Sequence, residues 1–341
     1  MIHKRDLLLG LPFAGLLAAA GTRVATAAAP RAQPLPPGIA PDSLLANVDR
    51  SLVAAGKARI ARMDAERIET QKGGDHEVPP FKVVGNTYSV GTKTVTAYVI
   101  KTSEGLILVD MTYDHSAWWV AKAMQSLGFE LSDIKILLGS HSHGDHVGGM
   151  AWFKQRAPQA QIMIMDADAE ILARGVPPRT PGGGGGIPAV KIDRILKDGD
   201  KVTLGDTTVT AWKTAGHTPG ATSLEWTQTE NGKTYTVVLV GSNFTAISGY
   251  PNVIQDQINT WNRYLSLKAD IWMGGHTWQH EQKPKYAELI YGDPAVNPFY
   301  DPQGYRELIA ARSEEFLERL RNPNAPDSRG QVPGAPRPAR P

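Results

Sequence analysis

A chain of 341 residues can bury a large core, and 41% hydrophobic with 21% charged residues is an ordinary globular balance. The formal charge of +2 sits in the two ends: Lys4, Arg5 and Arg23 against Asp6, and Arg329, Arg337 and Arg340 against Asp327. The body between them is slightly acidic, which argues against a nucleic-acid partner, and the absence of cysteine excludes disulfides and every thiolate-based site.

In chain order, Lys4 and Arg5 precede an apolar run over 7–20, followed by small residues at 25–29. This is the layout of an export signal, so residues 1–29 are read as a signal peptide, with the mature chain starting near Ala28–Pro30 in the periplasm. The run contains Gly10, Pro12 and Gly15 and is too short to span a bilayer, so no stable membrane insertion is expected once it is removed. The Lys-Arg-Asp-Leu-Leu-Leu order resembles a twin-arginine signal, which leaves the Sec and Tat routes both open.

Residues 30–78 form an N-terminal extension. A Pro- and Ala-rich lead-in reaches position 41, and Leu45, Val48, Leu52, Ile60, Met63 and Ile68 then space a broken apolar stripe that predicts helix over 42–71. Asp42 and Ser43 are placed as caps, and Gly73-Gly74 ends the segment. A domain over 79–321 follows, with short strands predicted at 82–84, 87–90, 95–100 and 106–109, a helix at 116–127 and a buried strand at 134–138. Further strands fall at 162–165, 202–212 (a hairpin around Gly205-Asp206), 235–240 and 271–273, with helices at 255–267 and 305–320. Residues 177–188, with glycine at every position from 182 to 186, are read as a flexible loop, and the Pro- and Arg-rich tail 322–341 as disordered. The alternation is that of an α/β fold with sheets inside and helices outside; composition alone does not separate an αββα sandwich from other α/β architectures.

Nine histidines stand at 3, 76, 115, 141, 143, 146, 217, 276 and 280. Three of them share Ser140-His141-Ser142-His143-Gly144-Asp145-His146, directly after the apolar strand 134–138. Three imidazoles and a carboxylate within six residues suit a borderline cation such as Zn²⁺, and their crowding suits two neighbouring ions better than one. Without a cation, protonated imidazoles so close together would repel one another. His76, His115 and His280 are read as solvated, capping or supporting groups.

His141-x-His143-x-Asp145-His146 resembles the signature of the metallo-β-lactamase superfamily, over about residues 81–320. Gly216-His217-Thr218-Pro219-Gly220 and Gly275-His276-Thr277 are similar to its two later histidine loops. The resemblance implies a four-layered αββα sandwich and two Zn²⁺ per chain. It assigns His141, His143 and His217 to one ion and Asp145, His146 and His276 to the other. Several branches place a metal-bridging aspartate after an apolar strand between the later histidines, and one branch of β-lactamases places cysteine there. This chain has Ser242, followed by Asn243, which resembles subclass B3. The resemblance implies hydrolysis of a small β-lactam, with Asp145 catalytic and Ser242 and Asn243 binding substrate. A hydrolase of lactones, esters or other amides, or a zinc-binding protein without turnover, stand as alternatives.

Overall fold

The computed structural model describes residues 40–177, 185–241, 245–246 and 249–323. The extension is not one continuous helix. Pro41–Leu44 (α1) and Val53–Gln71 (α2) are separated by a loop and a 3₁₀ turn over Arg50–Leu52. Asp49 makes the break, since its carboxylate accepts from the Ser51 amide at 3.1 Å and the Ser51 hydroxyl at 2.6 Å and starts the helix anew.

The chain continues through β1 (Phe81–Val84), β2 (Thr87–Ser89), β3 (Tyr98–Thr102), β4 (Gly105–Val109), α3 (Ala117–Ser126) and β5 (Ile134–Leu138). Next come α4 (Gly144–Val147), α5 (Met150–Arg156), β6 (Gln161–Met165), α6 (Asp166–Arg174) and β7 (Arg194–Leu196). The second half holds β8 (Asp200–Leu204), β9 (Thr207–Lys213), β10 (Thr222–Glu230), β11 (Lys233–Val240), α7 (Val253–Ser266), β12 (Ile271–Gly274), α8 (Gln282–Tyr291) and α9 (Pro302–Arg321). The long strand β10 has no counterpart in the sequence reading, although Leu224, Trp226 and Gln228 alternate inward along it. The hairpin expected at 202–212 is present as β8 and β9.

One sheet runs β1 to β7 in sequence order, antiparallel through β4 and parallel from β4 to β7. The other has the order β12-β11-β10-β9-β8, with only the β11–β12 pair parallel. Because successive side chains of a strand point to opposite faces, single strands feed two cores. Ile136 and Leu138 of β5, with Ile107 and Val109 of β4, meet Val209, Leu224, Trp226, Leu239 and Met273 between the sheets. Leu137 and Leu108 face outward onto Val120 and Met124 of α3 and Met150 and Phe153 of α5. Val238, Val240 and Trp272 line the other outer face beneath Trp261, Tyr264, Leu308 and Phe316. Helices, sheet, sheet and helices therefore stack in four layers, the αββα sandwich expected. Ile60 and Met63 of α2, with Leu45 and Val48, are buried in this last core, so the extension packs as part of an outer helical layer.

Candidate metal centre

Parallel pairing of β4 with β5, and of β11 with β12, brings strand ends that carry ligands to one edge of the sandwich. His141 and His143 leave β5, His217 lies in the loop between β9 and β10, and His276 follows β12 by two residues. His143 is the N-cap of α4, and this short helix carries Asp145 and His146. Residues 95–97, expected as the start of β3, instead reach across the gap between the sheets: Val95 bridges His276, and the Thr96 amide donates to the Gly275 carbonyl at 3.1 Å.

The ligand atoms form two trios, His141 with His143 and His217, and Asp145 with His146 and His276, each with its atoms within 4.8 Å of one another. In the second trio, Asp145 Oδ2 lies 3.6 Å from His146 Nε2 and 3.5 Å from His276 Nε2. The rings of His141 and His146, one from each trio, have centroids 4.1 Å apart, so the trios are adjacent. Glycine is required at 275, where an added Cβ would lie 2.7 Å from His146 Cε1. Every residue that the sequence assigned to metal is thus brought to one place. Ser242 and Asn243 lie outside the described residues, as do positions 182–184 of the glycine run.

Electrostatics prepare the groups to bind a cation. Burial holds the imidazole of His141 well below its ordinary pKa, and the neighbouring His146, His217 and His143 push the same way. Burial and the other histidines lower His217 to about 3 and His276 to about 4. Burial would raise Asp145, but His146, His276 and His143 outweigh it and hold the carboxylate ionised. His146 is the exception: burial disfavours its proton, yet Asp145 and Asp110 raise its pKa. Metal ligands must be deprotonated, and the imidazoles of His141, His217 and His276 with the ionised carboxylate of Asp145 meet that demand. The Nε2 of His141 is buried with no hydrogen-bond partner among the described residues, a cost that a coordinated ion would relieve. With nitrogen and oxygen donors and no sulfur, the residues fit zinc.

The supporting groups were largely missed by sequence reasoning. Asp110, in the left-handed region at φ 55°, ends the all-apolar strand β4. Its carboxylate accepts from the Ser140 amide and hydroxyl at 2.8 Å each and lies 2.9 Å from His146 Nδ1. A carboxylate in this position fixes the imidazole's orientation and leaves Nε2 for metal. The carbonyl of Thr94 does the same for His276 Nδ1 at 3.1 Å. Asp168 of α6, fully buried, accepts from the Ser142 amide (2.7 Å), the Thr218 hydroxyl (2.8 Å) and the Gly220 amide (3.0 Å), tying the two loops of the first trio together. A carboxylate at the end of an apolar strand was a signal available for Asp110; Asp168 looks like any polar residue on an amphipathic helix. Of the other histidines, His115 stacks on Tyr113 at 5.1 Å, and His280 is buried with Nδ1 3.2 Å from the His276 carbonyl.

A sandwich of this order with two adjacent ligand trios at its edge defines a metal-dependent hydrolase fold. The sequence profile of the metallo-beta-lactamase superfamily matches residues 90–229. The structure is similar to BJP-1, a subclass B3 metallo-beta-lactamase of Bradyrhizobium japonicum, at 35% identity and a TM-score of 0.65, covering 72% of this chain and 94% of that one. It is also similar to the native FEZ-1 metallo-beta-lactamase of Legionella gormanii, at 32% identity and a TM-score of 0.66, covering 72% and 97%. The uncharacterized protein YobT of Bacillus subtilis (strain 168) is 30% identical over 234 residues, 66% of this chain and 89% of its own. The chain belongs to the metallo-beta-lactamase superfamily, and its structural neighbours are mainly of subclass B3. Among the described residues no helix is long and apolar enough to cross a membrane.

Proposed function

We propose that the chain is a periplasmic β-lactamase of subclass B3 type that uses two zinc ions, held by His141, His143 and His217 and by Asp145, His146 and His276. The observation that carries this reading is the pair of adjacent trios combined with Ser242, rather than aspartate or cysteine, after β11. Bound zinc supplies positive charge that acidifies water and polarises a carbonyl. The chain's own groups do the rest. The Asp145 carboxylate, kept ionised by the imidazoles around it, accepts a hydrogen bond from the attacking water and orients it toward the lactam carbonyl. Asp110 and the Thr94 carbonyl hold His146 and His276 against rotation. Ser242 and Asn243 are assigned to the substrate's carboxylate, and residues 1–29 to export.

The test is zinc-loaded protein assayed with nitrocefin and a carbapenem beside a panel of lactones, esters and other amides, with elemental analysis of the same sample. β-Lactam turnover with two zinc ions per chain is expected. Turnover confined to the panel would move the substrate class, and two bound ions with no turnover anywhere would leave a zinc-binding protein. N-terminal sequencing of exported protein is expected to begin near position 30, and retention of Met1 would contradict cleavage.

A further inference from the structure

The helix α2 of the extension grips the segments on either side of His276, chiefly through Arg59. Arg59 is only 12% exposed and forms ion pairs with Glu281, with Asp301 at 3.1 Å and with Glu307 at 3.1 Å. Its guanidinium also stands 6.0 Å from the ring centre of Trp272. Trp272 lies four residues before His276 and Glu281 five after it, so a single cation brackets the stretch that presents this ligand. Between them runs a 3₁₀ turn, Thr277–His280, capped by His276 itself, and the turn exits through Glu281 at φ 55°. A non-glycine residue in that conformation is strained and persists only where its surroundings hold it. Here they are Arg59 and Arg62, the latter donating to Glu281 at 3.1 Å. The opposite end of the turn is fixed by the Thr277 hydroxyl on the Lys93 carbonyl at 2.8 Å and by Thr94.

The helix is set firmly enough to serve as an anchor. At Gly56 it crosses α9 so closely that an added Cβ would lie 2.0 Å from the Glu307 carbonyl oxygen, and Ile60 and Met63 are buried. Burial disfavours the charge on Arg59, yet the surrounding carboxylates raise its pKa.

We propose that Arg59 is a positioning residue for the second trio: through Glu281 and Trp272 it sets where His276 stands, which makes the extension part of the metal centre. This inference rests on the two-zinc reading above. It is tested in the purified full-length chain by titrating zinc against a chromophoric chelator, which resolves the two equivalents, with thermal unfolding measured in parallel. In Arg59→Ala the affinity for one equivalent is expected to fall by about 10- to 100-fold while the other is unchanged. Arg59→Lys should recover part of the loss, and Lys57→Ala, which removes an exposed ion pair on the same helix, should lose nothing. In a His276→Ala background, Arg59→Ala should cause no further loss. Unchanged affinities, or an equal fall in both, would reduce Arg59 to a structural ion pair and overturn the proposal. Should Arg59→Ala fail to fold, Glu281→Gln loosens the same link with the helix in place and is judged by the same outcomes. A wild-type chain that takes up no zinc would overturn the metal reading itself, a result visible before any variant is made.

Discussion

His141, His143 and His217 present three imidazoles and no carboxylate, whereas Asp145, His146 and His276 include one carboxylate and have a second, Asp110, directly behind His146. The two trios also differ in what holds them. The first is fastened by Asp168 joining its two loops and by Ser140, whose hydroxyl lies 3.1 Å from His141 Nδ1. The second depends on Asp110 at the end of β4, on Thr94 and, through the turn after His276, on a helix at the far N-terminal side of the domain. The difference teaches that the first trio attracts a cation by geometry and lone pairs alone. The second adds charge, and takes its geometry from elements brought together only by the finished fold.

Breaking the charge of the second trio should have the largest effect. Asp145→Asn keeps the shape and removes the charge, so we expect one ion retained, at the first trio. Turnover of nitrocefin should fall by about a hundredfold or more, about 2.7 kcal/mol in the barrier. Wild-type turnover with two ions bound would refute the role given to this carboxylate. The first trio is probed by Asp168→Asn, which replaces one of the two accepting oxygens with an NH2 and so turns a donor against at least one of the three groups that Asp168 holds. A loss of about 2–3 kcal/mol in stability is expected, with weaker retention of the ion at His141, His143 and His217 and little change at the other. Chemical denaturation and zinc counting read the two effects separately, and loss confined to the second ion would invert the comparison. Asp110→Asn should do the reverse, weakening the second ion by about tenfold through His146 and the first less, since Asp110 meets His141 only through Ser140. Equal weakening of both would show that the trios are not independent.

The last test concerns the anchor of the second trio under changing pH. Glu66 of α2 is raised to about 7, chiefly by burial and further by Glu281, against the lowering influence of the Lys283 amide and of Lys283 and Lys285. The folded chain therefore keeps this proton up to about pH 7, while the unfolded chain releases it near 4.5. The stability that Glu66 contributes is complete below pH 4.5 and is lost as pH rises through 7. Thermal unfolding from pH 5 to 8 should show Glu66→Gln gaining on the wild type as pH increases. A gap that stays constant across this range would contradict the assignment.

The candidate ligands were legible because coordination chemistry demands particular residue types, and the spacing within 141–146 is dense in imidazole. Buried strands such as 134–138 were legible as apolar runs, but the four-layered sandwich was implied only by the resemblance that the histidine motifs carry. That alternate residues of such a run serve two cores became visible with the fold. Strand β10 was missed because its polar outward residues, Thr227 and Thr229, dilute the signal of Leu224 and Trp226. The single helix expected over 42–71 overlooked Asp49, whose capping role competes with helix continuity only once its geometry is known. Asp168 and Arg59 were out of reach for a different reason. Each acts on residues dozens to hundreds of positions away, and a lone charged side chain on a helix looks the same whether it faces water or a buried partner.

The pairing of α2 with α9 has a consequence for the order in which the molecule is made. Lys57 and Glu318 are 261 positions apart, and the helix that contains Lys57 is synthesised before almost everything else in the domain. Until α9 is complete, Ile60 and Met63 have no partner for much of their apolar surface, and Arg59 has neither Asp301 nor Glu307. Closing so long a loop costs about 5 kcal/mol in chain entropy and is rewarded only at the last step. A nascent chain is thus held open at this seam until α9 arrives, and shortening that helix should trap the molecule with α2 adrift.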